Sequence, residues 1–405
     1  MNGATNRHTS LTPLLNKEGQ GEVLHHKRVS LRIPVFCLSV FLTAMSCINT
    51  PLPNTGILNP FTELPAITPD GTPHDLTANI VPLGPLERND VIRIDASGPN
   101  IVAVFILIRD DLQHATGVIV GGGPANTPFQ YRIQTDNDYY VFIQFSATAT
   151  ALQRTGTIAV APGDPTYRPP SQQRVLITFE QGYLHSPGLY DPDSDPPENQ
   201  TLLASISDTV RHEVIRKLRT IFADTPIQIV SEDDPAPAEP FSRVTFSPKR
   251  ILAPEQDVTD NRLPPPDSAL QPCLGRVVFG ELLPTGSFTD TGNHKQNDEA
   301  IVYVGSFQGR GQGCQTAITN SVNEIVKSLA QTAAHEIGHL VGLLHVEQID
   351  IMNRTATLAF LRDLPFDRAQ IQIDRNINGD ITSEVVTSVI QEPRVYFEGV
   401  FDRQE

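Results

Sequence analysis

The chain has 405 residues, 39% of them hydrophobic, with 34 prolines and a formal net charge of −16 at pH 7. That length predicts two or three domains, and the apolar content excludes a disordered chain. So acidic a balance argues against a nucleic-acid partner and leaves the fold open.

Residues 1–47 read as a leader. Lys27, Arg28 and Arg32 precede an apolar run from Ile33 to Met45, too short to span a bilayer and followed by small residues, which is the organisation of an export signal. Ala44-Met45-Ser46-Cys47 resembles the lipobox at which bacterial lipoproteins are cleaved and lipidated on cysteine, with Ala44 where leucine is usual. The expectation is an exported protein, either secreted or held to the cell envelope through a lipid on Cys47, with no other membrane association. The polar stretch before Lys27 is long for such a leader, which points to a translation start downstream of Met1.

Residues 48–71, rich in Pro, Asn and Thr, read as a linker. In 72–165, Val91 to Ile94, Ile101 to Ile108, Tyr139 to Phe145 and Thr157 to Val160 are strand-like runs between Gly, Asp and Asn turns, predicting a small β-sandwich. It would serve as spacer, as binding module, or as a propeptide over a cleft. The boundary is expected in the proline-rich stretch 162–173.

From residue 172 the pattern changes. Arg174 to Glu180 reads as a strand, and Leu202 to Phe222 as an amphipathic helix with Leu203, Ile206, Val210, Val214, Leu218 and Ile221 on one side. Strands are predicted over Ile227 to Ser231, Arg243 to Ser247, Arg276 to Leu282 and Ala300 to Phe307. A capping box of Ser321 and Glu324 then opens a helix whose Val322, Ile325, Val326, Leu329, Ala333, Ile337 and Leu340 recur at helical period.

That helix carries His335-Glu336-Ile337-Gly338-His339-Leu340-Val341-Gly342-Leu343-Leu344-His345. Residues four apart stack one turn above each other, so His335 and His339 aim their imidazoles at one spot. Glu336 is rotated by about 100° from His335 and sits beside such an ion, placed to hold a water and act as general base. Gly342 can take the positive φ that ends a helix, letting His345 swing back as third ligand. Three histidines leave a fourth position open, the arrangement of a catalytic Zn2+ site. By composition alone the full pattern arises in on the order of one chain in 10⁴.

This spacing resembles the metzincin clan of zinc metallopeptidases, and is nearest the matrixin-like members. The clan places a methionine turn beneath its metal, and Met352, in Asp350-Ile351-Met352-Asn353, stands a short step past His345. Arg354 occupies the place where some families carry a metal-binding tyrosine, so the resemblance implies three protein ligands. It also implies an α+β catalytic domain over 172–405, with a twisted mixed sheet, an active-site helix and a small lower subdomain, preceded by the all-β sandwich-like domain. One edge strand, here Arg276 to Leu282, would pair with an extended protein or peptide substrate.

Cys273 and Cys314 are the only thiols outside the leader, and an oxidising compartment would join them. No cysteine lies between leader and catalytic domain, so a matrixin-type cysteine switch is excluded. Past the methionine, 363–371 is expected to be helical and Arg394 to Phe401 a final strand or hairpin. Asp374, Asn376, Asn378 and Asp380, around Gly379, present oxygen donors at alternate positions as in the first half of a Ca2+ loop, although the closing carboxylate falls one residue early, on Glu384. The expected function is hydrolysis of peptide bonds by water activated on zinc. The alternative is a surface adhesion or ligand-binding lipoprotein whose metallopeptidase domain is latent or does not turn over. Oligomeric state and substrate sequence are not legible.

Overall fold

The computed structural model describes residues 66–402 apart from 77–78, 110–116, 147–152, 185–196, 236–239, 249–250, 253–276, 279, 284–288, 305–321, 347–350, 353–364 and 376–381. The leader with Cys47, the two cysteines Cys273 and Cys314, Ser321, Arg354 and the loop holding Asn376, Asn378 and Asp380 therefore lie outside the described residues. So does the side chain of Asp374. Among the described residues no helix is long and apolar enough to cross a membrane.

The N-terminal strands are β1 (His74–Asp75), β2 (Ile80–Leu86), β3 (Val91–Ser97), β4 (Ile101–Arg109), β5 (Gly117–Pro124), β6 (Phe129–Arg132), β7 (Asn137–Phe145) and β8 (Thr157–Pro162). One antiparallel sheet runs β1-β8-β3-β6, and a second contains β5-β4-β7-β2. Between them lie Ile94, Val104, Ile106, Val141, Ile143, Ile158 and Val160, all fully buried. The second sheet is buried on its other face as well. Phe105, Leu107, Ile119 and Phe142 point into the larger core shared with the C-terminal half, which explains why β4 is apolar at every position from Ile101 to Ile108 rather than alternating.

The following α/β unit comprises β9 (Gln173–Phe179), α1 (Pro197–Ile221), β10 (Ile227–Ser231), β11 (Ser242–Ser247), β12 (Ile251–Leu252), β13 (Val277–Val278), β14 (Gly280–Leu283), β15 (Glu299–Tyr303) and α2 (Val322–Leu340). Its main sheet runs β10-β9-β11-β15-β14. The first four strands are parallel, and β14 lies antiparallel at the edge against β15. β13 pairs with β12 in a separate ribbon, so the strand predicted over Arg276 to Leu282 is two short pieces. Val210, Val214 and Leu218 of α1 and Leu329, Ala333 and Ile337 of α2 share one core with Val175, Ile177, Val244, Phe246 and Val302 of the sheet.

The chain closes with β16 (Ala369–Arg375), β17 (Thr382–Gln391) and α3 (Pro393–Val400). Val389 and Ile390 of β17 run parallel to Gly117 and Val118 of β5, so this hairpin extends the second N-terminal sheet to six strands, β16-β17-β5-β4-β7-β2. Two expectations are corrected here. The described part of 363–371 holds no helix and enters β16, whose Ala-Gln-Ile-Gln-Ile alternates with period two. The segment from Arg394 to Phe401 is helical up to Val400, because Pro393 takes a first-turn position and Pro393, Tyr396, Phe397 and Val400 fall on one buried face at helical spacing. The result is α+β, with mixed sheets and three described helices.

Candidate metal centre and active site

Helix α2 ends at Leu340, and the chain turns through Gly342, whose φ of +100° is open to glycine and strained for other residues. The turn closes with Leu343 N–H donating to the Gly338 carbonyl at 2.8 Å and Gly342 N–H to the His339 carbonyl at 3.1 Å, a Schellman arrangement. Glycine is also required by space. A Cβ at 342 would run into the hydroxyl of Tyr396 and lie 2.7 Å from the Asp290 carbonyl oxygen.

His335, His339 and His345 are brought together as the motif predicts, and are positioned to bind a metal ion. The Nε2 atoms stand 3.0 Å apart for His335 and His339, and 3.2 Å for each of these with His345. His335 Nδ1 donates to the Ile351 carbonyl at 2.6 Å and His339 Nδ1 to the Leu343 carbonyl at 2.8 Å. With each Nδ1 protonated, each neutral ring keeps its lone pair on Nε2, and the lone pairs converge. Zinc bound tetrahedrally at about 2.0–2.1 Å separates its ligand nitrogens by roughly 3.3 Å, so this donor set fits that ion. Burial first, then the neighbouring His335 and His345, hold the His339 imidazole well below the usual histidine range and therefore neutral.

Met352 lies under the helix, fully buried, with its sulfur against Gly338, where a Cβ would collide with it. Its carbonyl accepts from Val346 N–H at 3.1 Å. The residues flanking His345 are thereby tied to the turn that carries the methionine.

Glu336 is 5% exposed and packs against the bare backbone of Gly280 on edge strand β14. Burial, followed by the charge of Glu281, pushes its carboxyl up to about 8. Glu281 in turn accepts a hydrogen bond from the Tyr303 hydroxyl.

Sequence reasoning missed the strap 289–295. Asp290 N–H donates to the His339 carbonyl at 3.2 Å, Gly292 N–H to the Tyr396 hydroxyl at 2.9 Å, and the His294 ring, through Nε2, to the Gly122 carbonyl at 2.8 Å. The strap thus joins the end of the ligand helix to α3 and β5. Gly121-Gly122-Gly123 was its visible signal: a Cβ at 122 would lie 2.5 Å from Thr291 Cγ2, and one at 123 would collide with Phe129.

No family model and no curated protein matches this chain. Among solved structures there is a slight likeness to a salicylyl-acyltransferase, SsfX3, from a tetracycline biosynthetic pathway, at 14% identity and a TM-score of 0.10. It spans 35% of this chain and 36% of that one, about a third of each, and supports no fold or functional assignment.

Proposed function

We propose that this chain is a zinc-dependent endopeptidase of metzincin-like design. The observation that carries the reading is the convergence of the Nε2 atoms of His335, His339 and His345 at 3.0–3.2 Å, with Glu336 buried on the helix that bears the first two. His335, His339 and His345 would hold the ion, whose Lewis acidity polarises an amide carbonyl and acidifies water. The charge of an ion held there would oppose the effect of burial on Glu336 and favour its carboxylate form. Glu336 then takes the proton of the attacking water and delivers it to the leaving amine, so no covalent intermediate with the protein is needed. Among the described residues β14 is the edge of its sheet and stands beside Glu336, which suits an extended peptide adding as a further strand.

The test is cleavage of a mixed-peptide library by the purified protein beside its Glu336→Ala variant. Retained zinc with hydrolysis lost supports the reading, and equal cleavage by both proteins removes Glu336 from the mechanism.

A further inference from the structure

Gln391, the last residue of β17, is 1% exposed, and its side-chain amide is bonded to both backbone groups of Leu344. Leu344 N–H donates to Oε1 at 2.7 Å, and Nε2 donates to the Leu344 carbonyl at 3.1 Å. Leu344 immediately precedes His345. On one side Leu343 N–H bonds the Gly338 carbonyl while the Leu343 carbonyl accepts from His339 Nδ1, and on the other Val346 bridges Ile371 and bonds the Met352 carbonyl. At Leu344 a side-chain amide supplies the donor and acceptor that a neighbouring strand would otherwise give.

We infer that Gln391 is a positioning residue of the metal centre, fixing the Leu344 peptide so that the His345 imidazole stands opposite those of His335 and His339 before any ion binds. The inference rests on reading the three histidines as a metal site. It also links that site to the N-terminal half. Ile390, the neighbour of Gln391, is paired with Val118 of β5, and Gln391 itself with Ala369 of β16, so the six-stranded sheet sets where the amide points. His335 and His339 stand on helix α2, whereas His345 lies past its end, in the segment to which this contact is made. Removing a group that orients a metal ligand typically weakens binding by about 10- to 100-fold.

The experiment measures zinc affinity of the full chain by competition with a chromophoric chelator, together with the visible spectrum of the cobalt(II)-loaded protein. Wild type is compared with Gln391→Met, which keeps length and loses both hydrogen bonds, with Gln391→Glu, which loses the donor, and with His345→Ala. The expected result is folded metal-free Gln391 variants, zinc affinity down about 10- to 100-fold, and an altered cobalt spectrum. Affinity within twofold of wild type and an unchanged spectrum in both variants would overturn the inference. So would failure of both variants to fold, which would assign Gln391 to the fold alone. Should wild type bind zinc no better than His345→Ala, the metal-centre reading itself falls; should only His345→Ala lose zinc, the role of Gln391 alone falls.

Discussion

Gly280 stands with its bare Cα against the carboxylate of Glu336: a Cβ there would collide with Oε1 and lie 2.8 Å from both Cγ and Cδ. A strand residue without a side chain thus sets the position of a buried carboxyl on a helix 56 residues later in the chain.

Gly280→Ala should displace Glu336 while leaving the three imidazoles in place. Since a positioned base contributes about 10²- to 10⁴-fold, peptide hydrolysis should fall by at least about tenfold, with one zinc still bound per chain. Activity equal to wild type would show that the carboxylate is not held by this contact.

Gly338 and Met352 form a second close pair, with the methionine sulfur filling the space a helix side chain would occupy. Gly338→Val should therefore force Met352 and its turn outward, at a cost of about 1–3 kcal/mol, seen as a lower urea midpoint. The Ile351 carbonyl that orients His335 moves with that turn, so zinc affinity should fall as well.

How much of this was legible in the sequence depended on the range of the interactions. The ligand helix and its glycine turn were readable because ligand spacing and hydrophobic period are local properties, whereas the edge strand was expected only from the family resemblance. Gln391 acts on Leu344 across 47 residues, Tyr396 on Gly292 across 104, and His294 on Gly122 across 172, and no local pattern announces such pairs. Strands β2 and β5 were missed because Pro82 and Pro85 are tolerated on an edge strand, and because the three glycines of β5 serve close approach rather than strand propensity. The C-terminal hairpin and α3 were read with the wrong period, since short apolar segments fit either one.

A third prediction concerns the β-rich half. Residues 172–405 alone would leave β17 without β5 and the main core without Phe105, Leu107, Ile119 and Phe142. That fragment should bind a hydrophobic dye, lack near-ultraviolet dichroism and fail to bind zinc. A well-folded, zinc-binding fragment would show that the N-terminal sheets are dispensable packing.

Asp298 gives the pH dependence. Burial, its largest influence, pushes its carboxyl up to about 7 against the hydrogen bond from the Ser242 hydroxyl. A carboxyl whose pKa is raised on folding favours the folded state below its unfolded pKa of about 3.9, and that contribution is lost as pH rises through about 7. Asp298→Asn keeps the acceptor for Ser242 and removes the charge. Its urea midpoint should exceed that of wild type at pH 8, with the difference shrinking toward pH 4; a constant difference would mean that Asp298 does not titrate in this range.

The central claim is most directly tested by depleting the protein of metal and titrating zinc back while following cleavage of a susceptible peptide. Activity should rise linearly and break at one equivalent of zinc, and should not return in Glu336→Ala. Cleavage that is indifferent to zinc, or zinc binding at one equivalent with no hydrolysis of any peptide, would contradict it.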